Sequence, residues 1–322
     1  GFRFHFVWNW RDRAIRKMAT LSAFTVGYVI TNQLGYLLVP ILAYGVQGGY
    51  TAYSTAFIFF QLPHGVFAVS VMTALLPPLS EQAVAEDWAA FRATLGRGIR
   101  LTAAVLLPAA LGYLALAGPI VRLLLEHGVV TEESTSLLIP VLMVFVLGLV
   151  PFSTFQLVLR AFYALQDTRT PFLVNLVAVG VNVVTNLLLF SLLPEQWKIP
   201  GLALGHAAHY TVGSALLLYL LSKRIGGLGG SRILAAVGRM MVAGLIMFGA
   251  TVLVGQALET AMDPGFLRDL VTVVVGVAVG AGTYLLAARL LRIEELALLM
   301  DVLRRRGARG VRGGRGTPAG PS

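Results

Sequence analysis

Residues 18–80 read MATLSAFTVGYVITNQLGYLLVPILAYGVQGGYTAYSTAFIFFQLPHGVFAVSVMTALLPPLS, and none of them is Asp, Glu, Lys or Arg. One helix crosses the hydrocarbon of a bilayer with about 20 apolar residues. A run this long therefore holds two spans, placed at Met18–Val46 and Tyr50–Leu76. Gln47-Gly48-Gly49 is the hairpin between them. Pro77-Pro78 is expected to end the second span, because neither proline donates a backbone hydrogen bond.

Outward from this stretch the pattern repeats. Six more apolar runs lie at Leu101–Val121, Ser134–Leu159, Pro171–Leu193, Ile199–Leu221, Met240–Ala257 and Leu270–Ala288. The breaks carry turn residues: Glu126-His127-Gly128, Gln166-Asp167-Thr168-Arg169, Pro194-Glu195, the glycines at 226–230 and Asp263-Pro264-Gly265. Charged residues make up only 12% of the 322, against about 25% in a soluble domain. So few charges cannot cover a water-facing surface, and the bilayer must be the solvent. The fold class is all-α: a polytopic membrane protein with eight transmembrane helices. Residues 80–100 differ, with Leu79, Ala83, Trp88, Phe91, Leu95 and Ile99 on one stripe and charges elsewhere. That spacing predicts an amphipathic helix, lying along the membrane surface or packed against the protein's own loops. The organisation expected is a lead-in over 1–17, six spans over 18–225, two further spans over 232–290 and a basic Gly/Arg-rich tail over 291–322. The tail cannot build a core and reads as disordered. A start at Gly1, without an initiator Met or a cleavage pattern, reads as the interior of a longer protein.

The charges test this topology. Eight spans place 22 of the 25 Lys and Arg on one side, leaving Arg122, Lys198 and Arg268 on the other. One span more or fewer would scramble the partition. The positive-inside rule puts the rich side, and with it both ends, in the cytoplasm.

Enzymatic signals are poor. Cysteine is absent, and there is neither a His-Glu-x-x-His pair nor a phosphate-binding loop. No cofactor, metal or nucleic acid is expected. His206 and His209 share a helical face, but no nearby carboxylate completes a metal site, and helix packing is the preferred reading. The informative residues are polar groups inside spans, which in lipid face a bundle interior or an aqueous cavity. These are Asn32 and Gln33 in the first span and Gln61 and His64 in the second, beside a bend expected at Pro63. Transporters place substrate at such broken helices, and hydrogen bonding between helices explains the same residues equally well. Arg160 ends the fourth span, where it snorkels to the interface or meets an anionic headgroup. Asn175, Asn182 and Asn186 form one stripe suited to interhelical hydrogen bonds.

Two segments resemble a known family. Gln61-Leu-Pro-His-Gly-Val-Phe-Ala-Val-Ser, followed by Thr73-Ala-Leu-Leu-Pro-Pro-Leu-Ser80, is similar to a helix of the MurJ/MviN lipid II flippases. Arg160-Ala-Phe-Tyr-Ala-Leu-Gln-Asp-Thr-Arg-Thr-Pro171 resembles that family's cytoplasmic loop motif. The family belongs to the multidrug/oligosaccharidyl-lipid/polysaccharide exporter superfamily. The resemblance implies fourteen spans in the whole protein, two six-helix lobes and two extra helices, of which this chain supplies spans seven to fourteen. The remaining lobe is then the missing partner. It further implies flipping of lipid II across the bacterial inner membrane by alternating access, with the lipid tail near the last two helices. An Asp-Arg pair that many members carry falls here at Phe57 and Ile58, so its charge is not carried over.

The reading is a C-terminal portion of a lipid II flippase, not an enzyme, with lipid II and membrane lipids as partners. Asn32, Gln33, Gln61 and His64 are its candidate cavity contacts and Arg160 its candidate headgroup or interface contact. The alternatives are another exporter of the superfamily, moving a polysaccharide lipid or a drug, and a non-transporting membrane scaffold.

Overall fold

The computed structural model describes residues 12–125 and 132–296. The lead-in over residues 1–11, the turn at Glu126-His127-Gly128 and the tail from residue 297 lie outside them.

Helix α1 spans Arg13–Ala43, and its N-cap Asp12 accepts the Ala14 N–H at 2.7 Å. Gly48, at φ +69°, supplies the left-handed residue that turns the chain into α2, Gly49–Pro63. A π-turn over His64–Ala68 then leads into α3, Val69–Val84. Helix α4 runs over Trp88–Leu125, α5 over Glu132–Leu147, α6 over Leu149–Ala164 and α7 over Arg169–Leu192. Helices α8, Glu195–Arg224, α9, Gly230–Ala261, and α10, Phe266–Leu290, complete the set. No strand occurs among the described residues.

Six of these helical units are long and apolar enough to cross a membrane, and α5–α6, bent by 45° at Gly148, makes a seventh. The eighth expected span, α8, is a helix of 30 residues that stands outside this set. His206 and His209 lower its apolarity at mid-length, and it can carry them because α5, α6 and α7 pack against it.

Two sequence expectations are corrected. Pro77 and Pro78 do not end the second span but lie inside α3. Their fixed φ suits a helix, so the cost is lost donors rather than a forced stop. Nor do residues 80–100 form a separate surface helix. They comprise the end of α3, a tight turn at Ala85–Asp87 and the first turns of α4. The turn is closed by Ala85 N–H to Glu81 O and Asp87 N–H to Gln82 O, both within 3.0 Å, and by Asp87 Oδ1 accepting the Ala90 N–H. The apolar stripe packs α4 onto the bundle, with Phe91 and Leu95 fully buried. At Pro63 the chain widens into the π-turn, the local adjustment that accommodates a missing donor.

Contacts fix the topology independently of hydropathy. Helices α1 and α7 run parallel in constant register, with Leu21 O accepting from Thr168 and the Tyr28 carbonyl accepting from Asn175. Helices α7 and α8 are antiparallel, and α4 lies antiparallel to α10 through Arg122–Asp269 and Tyr284 Oη donating to Ala104 O. All the following contacts gather on one face: Lys17–Gln166, Arg224–Asp167, Arg92–Ile225 O and Arg100–Glu295. The start of α1, the α3–α4 turn, the α6–α7 and α8–α9 loops and the end of α10 therefore share that face. It is the arginine-rich one.

Close approach between α7 and α8 depends on Gly205. A Cβ there would stand 1.9 Å from Asn186 Oδ1. Gly205→Ala is expected to destabilise the protein by about 1–3 kcal/mol through overpacking, lowering the unfolding midpoint in detergent. Gly180→Ala, where an added Cβ meets nothing within 4 Å, should leave it unchanged.

Candidate functional site

Helices α1, α2, α7 and α8 line a half-open cavity of about 200 Å³. That is far above the ~15 Å³ one water needs. Helix α1 contributes Asn32, Gln33 and Tyr36; α2 contributes Tyr53 and Phe57; α7 contributes Asn182; and α8 contributes His206, His209 and Tyr210.

The bend at Gly148 lies behind α8 and positions that wall from outside the lining. A Cβ on Gly148 would meet Ala207 Cα at 3.0 Å, so glycine lets α8 cross the α5–α6 junction closely. Next in sequence to that crossing, His206 enters an aromatic cage. Its ring lies 4.8 Å from Tyr210, 5.2 Å from Phe145, 5.3 Å from Phe60 and 5.4 Å from Phe57, centroid to centroid. One helical turn on, His209 is buried, with its ring 4.4 Å from Tyr210 and 6.2 Å from Phe155, centroid to centroid. The buried Nε2 of each histidine has no protein partner among the described residues, and neither does Asn186 Oδ1. Buried polar atoms in that condition call for water or a ligand's polar groups.

No Lys, Arg, Asp or Glu lines the cavity. Its surface is neutral carboxamide, imidazole and phenol groups backed by aromatic rings. Such a surface donates and accepts hydrogen bonds and stacks on flat apolar faces, and it offers no net charge to a phosphate.

Of the residues singled out from sequence, Asn32 and Gln33 line this cavity, while Gln61 and His64 do not. Gln61 is exposed. His64 follows Pro63 in the π-turn and pairs with Ser153 of α6, Nδ1 to Oγ at 2.8 Å, with its ring 4.5 Å from Phe152. Arg160, one helical repeat beyond Ser153 on α6, is half-buried and close enough to act on His64 electrostatically. These residues form a second polar group beside the cavity. Phe57, at the position of the family's charged pair, faces the cavity, while Ile58 points outward with 63% exposure. His206, His209 and Asn182, whose spacing suits helix packing, belong to the cavity wall. The signal was there in the spacing of 206, 209 and 210 on one face of the least apolar span. Among the described residues no group of three or more His, Asp or Glu could hold a metal ion.

Fold and cavity together define a polytopic helical membrane protein with an uncharged, half-open cavity on the flank of a helix bundle. A family model described as lipid II flippase MurJ matches residues 1–273. A probable lipid II flippase MurJ from Vibrio cholerae serotype O1 is 26% identical over 302 residues, covering 90% of this chain and 55% of that protein. One from Rhizobium meliloti is 31% identical over 219 residues, covering 68% of this chain and 40% of its own. A solved structure of lipid II flippase MurJ in an inward closed conformation shares the fold at a TM-score of 0.56 and 23% identity, over 75% of this chain and 47% of that one. The chain belongs to the MurJ lipid II flippase family. It spans about half the length of the curated relatives it matches.

A cavity that holds water differs from a lipid-facing surface in thiol chemistry, because thiolate forms only where water solvates it. A Gln33→Cys variant is expected to react with a water-soluble thiol reagent in native membranes. Ile246→Cys, on the exposed apolar side of α9, should not.

Proposed function

We propose that this chain forms the C-terminal lobe and two additional helices of a lipid II flippase, and that the whole protein moves lipid-linked peptidoglycan precursor across the inner membrane. The observation that carries this reading is a chamber of neutral hydrogen-bonding groups inside a chain of the MurJ family. Sugar hydroxyls and peptide amides of a precursor headgroup match such a surface. Its diphosphate does not, so that charge is met outside this chamber, by the lobe beyond this chain or at the membrane interface. Asn32 and Gln33 contact the headgroup, with His206, His209 and Asn182 opposite them. His64, Ser153 and Arg160 flank the π-turn, where α2–α3 can flex as the lobes rock. No covalent step is involved. A cation-drug exporter would place a carboxylate in the chamber, and the lining has none.

Both ends of the chain are placed in the cytoplasm, which the charge asymmetry supports. This chain has no cysteine, so single thiols report orientation cleanly. An impermeant maleimide applied to intact cells should label Asp263→Cys, with Ala85→Cys labelled only after permeabilisation. The reverse pattern would invert the assignment.

The headgroup assignment is tested with Asn32→Ala combined with Gln33→Ala in the full-length protein. Loss of two headgroup hydrogen bonds, each contributing about 1 kcal/mol, should reduce flipping roughly tenfold or more at unchanged membrane level. Gln61→Ala, outside the chamber, should flip nearly as wild type. Normal flipping by the double variant would remove Asn32 and Gln33 from the site.

A further inference from the structure

Away from the chamber, a second concavity of about 350 Å³ opens on the arginine-rich face. It lies between the start of α4 and the α8–α9 loop. Arg92, Arg97 and Arg100 come from successive turns of α4, and Arg232 comes from the first turn of α9. Ala93 and Gly96 form an open floor, and Leu228 and Gly229 form the opposite rim.

Charge in this pocket is unbalanced. Arg92 donates to the Ile225 carbonyl at 2.8 Å, which holds the guanidinium in place without neutralising it. Arg100 is paired with Glu295 at 2.5 Å. Arg97 and Arg232 are exposed and have no ion pair among the described residues. Four guanidinium groups thus meet one carboxylate. Like charges held this close repel unless an anion is shared between them. Guanidinium forks present paired donors that match phosphate oxygens.

The surroundings favour a lipid as the source of that phosphate. Trp88 opens α4 with 37% exposure, as an aromatic side chain does at a headgroup boundary. Beyond Arg232, α9 exposes the apolar side chains of Leu234, Val242, Leu245 and Ile246, a surface suited to acyl chains. We propose that this pocket binds the phosphate of an anionic phospholipid in the adjoining leaflet, with the acyl chains lying along the exposed side of α9. Topology alone demands arginines somewhere on this face. It does not demand four of them around one concavity with a single carboxylate partner. The proposal is independent of what the central chamber carries.

The test uses the full-length protein in mixed micelles. Phosphatidylglycerol is the probe, and phosphatidylcholine and inorganic phosphate are the comparison arms. Arg97→Gln with Arg232→Gln should weaken saturable phosphatidylglycerol binding about 5-fold per arginine, about 30-fold together. Lys223→Gln with Arg289→Gln removes the same charge from the same face outside the pocket and should change binding less than about 2-fold, the loss expected once surface charges are screened by salt. Both pairs are exposed, so unfolding midpoints should stay at the wild-type value. Phosphatidylcholine should not compete, and millimolar inorganic phosphate should leave the lipid bound. Equal weakening by both double variants, or none by the first, would overturn the pocket. Displacement by inorganic phosphate would overturn the lipid assignment in favour of a soluble phosphate.

Discussion

A polar side chain in hydrocarbon must find a partner or water, and that single constraint arranges this bundle. Helix α7 carries Asn175, Asn182 and Asn186 on one stripe, all of them buried. Asn175 reaches the Tyr28 carbonyl of α1, and Asn186 donates to Asn182 at 3.1 Å. To bury that stripe, α8 must come close enough that Gly205 is needed beneath Asn186. With α1, α7 and α8 so disposed, Asn32, Gln33, Asn182, His206 and His209 line one cavity. The chamber is the space they leave.

Helix α4 plays a different part. At 38 residues it is the longest helix described, and both its ends are tied to the last two helices. On one face Arg100 meets Glu295. On the other, Arg122 holds Asp269 through Nε and Nη2 at 2.9–3.2 Å. Between these ties Gly276 admits Leu116 and Gly244 admits Leu111. Ion pairs of this kind add little net stability, because desolvation offsets attraction, but they penalise any other register. Helices α9 and α10 are thereby docked on α4, which contributes no residue to the chamber. The same docking sets Arg232 beside Arg92 and Arg97, residues from ends of the chain's two parts.

Much of this was legible in the residues, and the exceptions have definite causes. Hairpins at Gly48 and at Asp263–Gly265 fall where turn residues interrupt apolar runs. Pro77 and Pro78 misled because a proline forbids a donor, whereas a helix continues if its other geometry is satisfied. The stripe from Leu79 to Ile99 was recognised as amphipathic, yet an apolar face does not say whether it lies on lipid or on a neighbouring helix. Asn32 and Gln33 were recognised as polar residues within a span. Gln61 and His64 looked equivalent to them, and only their rotation about α2 and the π-turn separates the four. The spacing of His206 fits packing, which is half the answer: its ring packs in an aromatic cage while its Nε2 has no protein partner among the described residues.

Composition, charge spacing and turn residues by themselves determined an all-α membrane protein, its order of passes and the gathering of its arginines on one face. These are local or additive properties: a window is apolar or it is not, and a loop's side follows from counting. The rotation of each helix, the parallel pairing of α1 with α7, the crossing at Gly148 and the meeting of α4 with α9 were decided only by tertiary structure. Every apolar helix face is equally content in lipid. Which face turns inward is chosen by close packing and by the few polar groups that must be partnered across helices far apart in sequence.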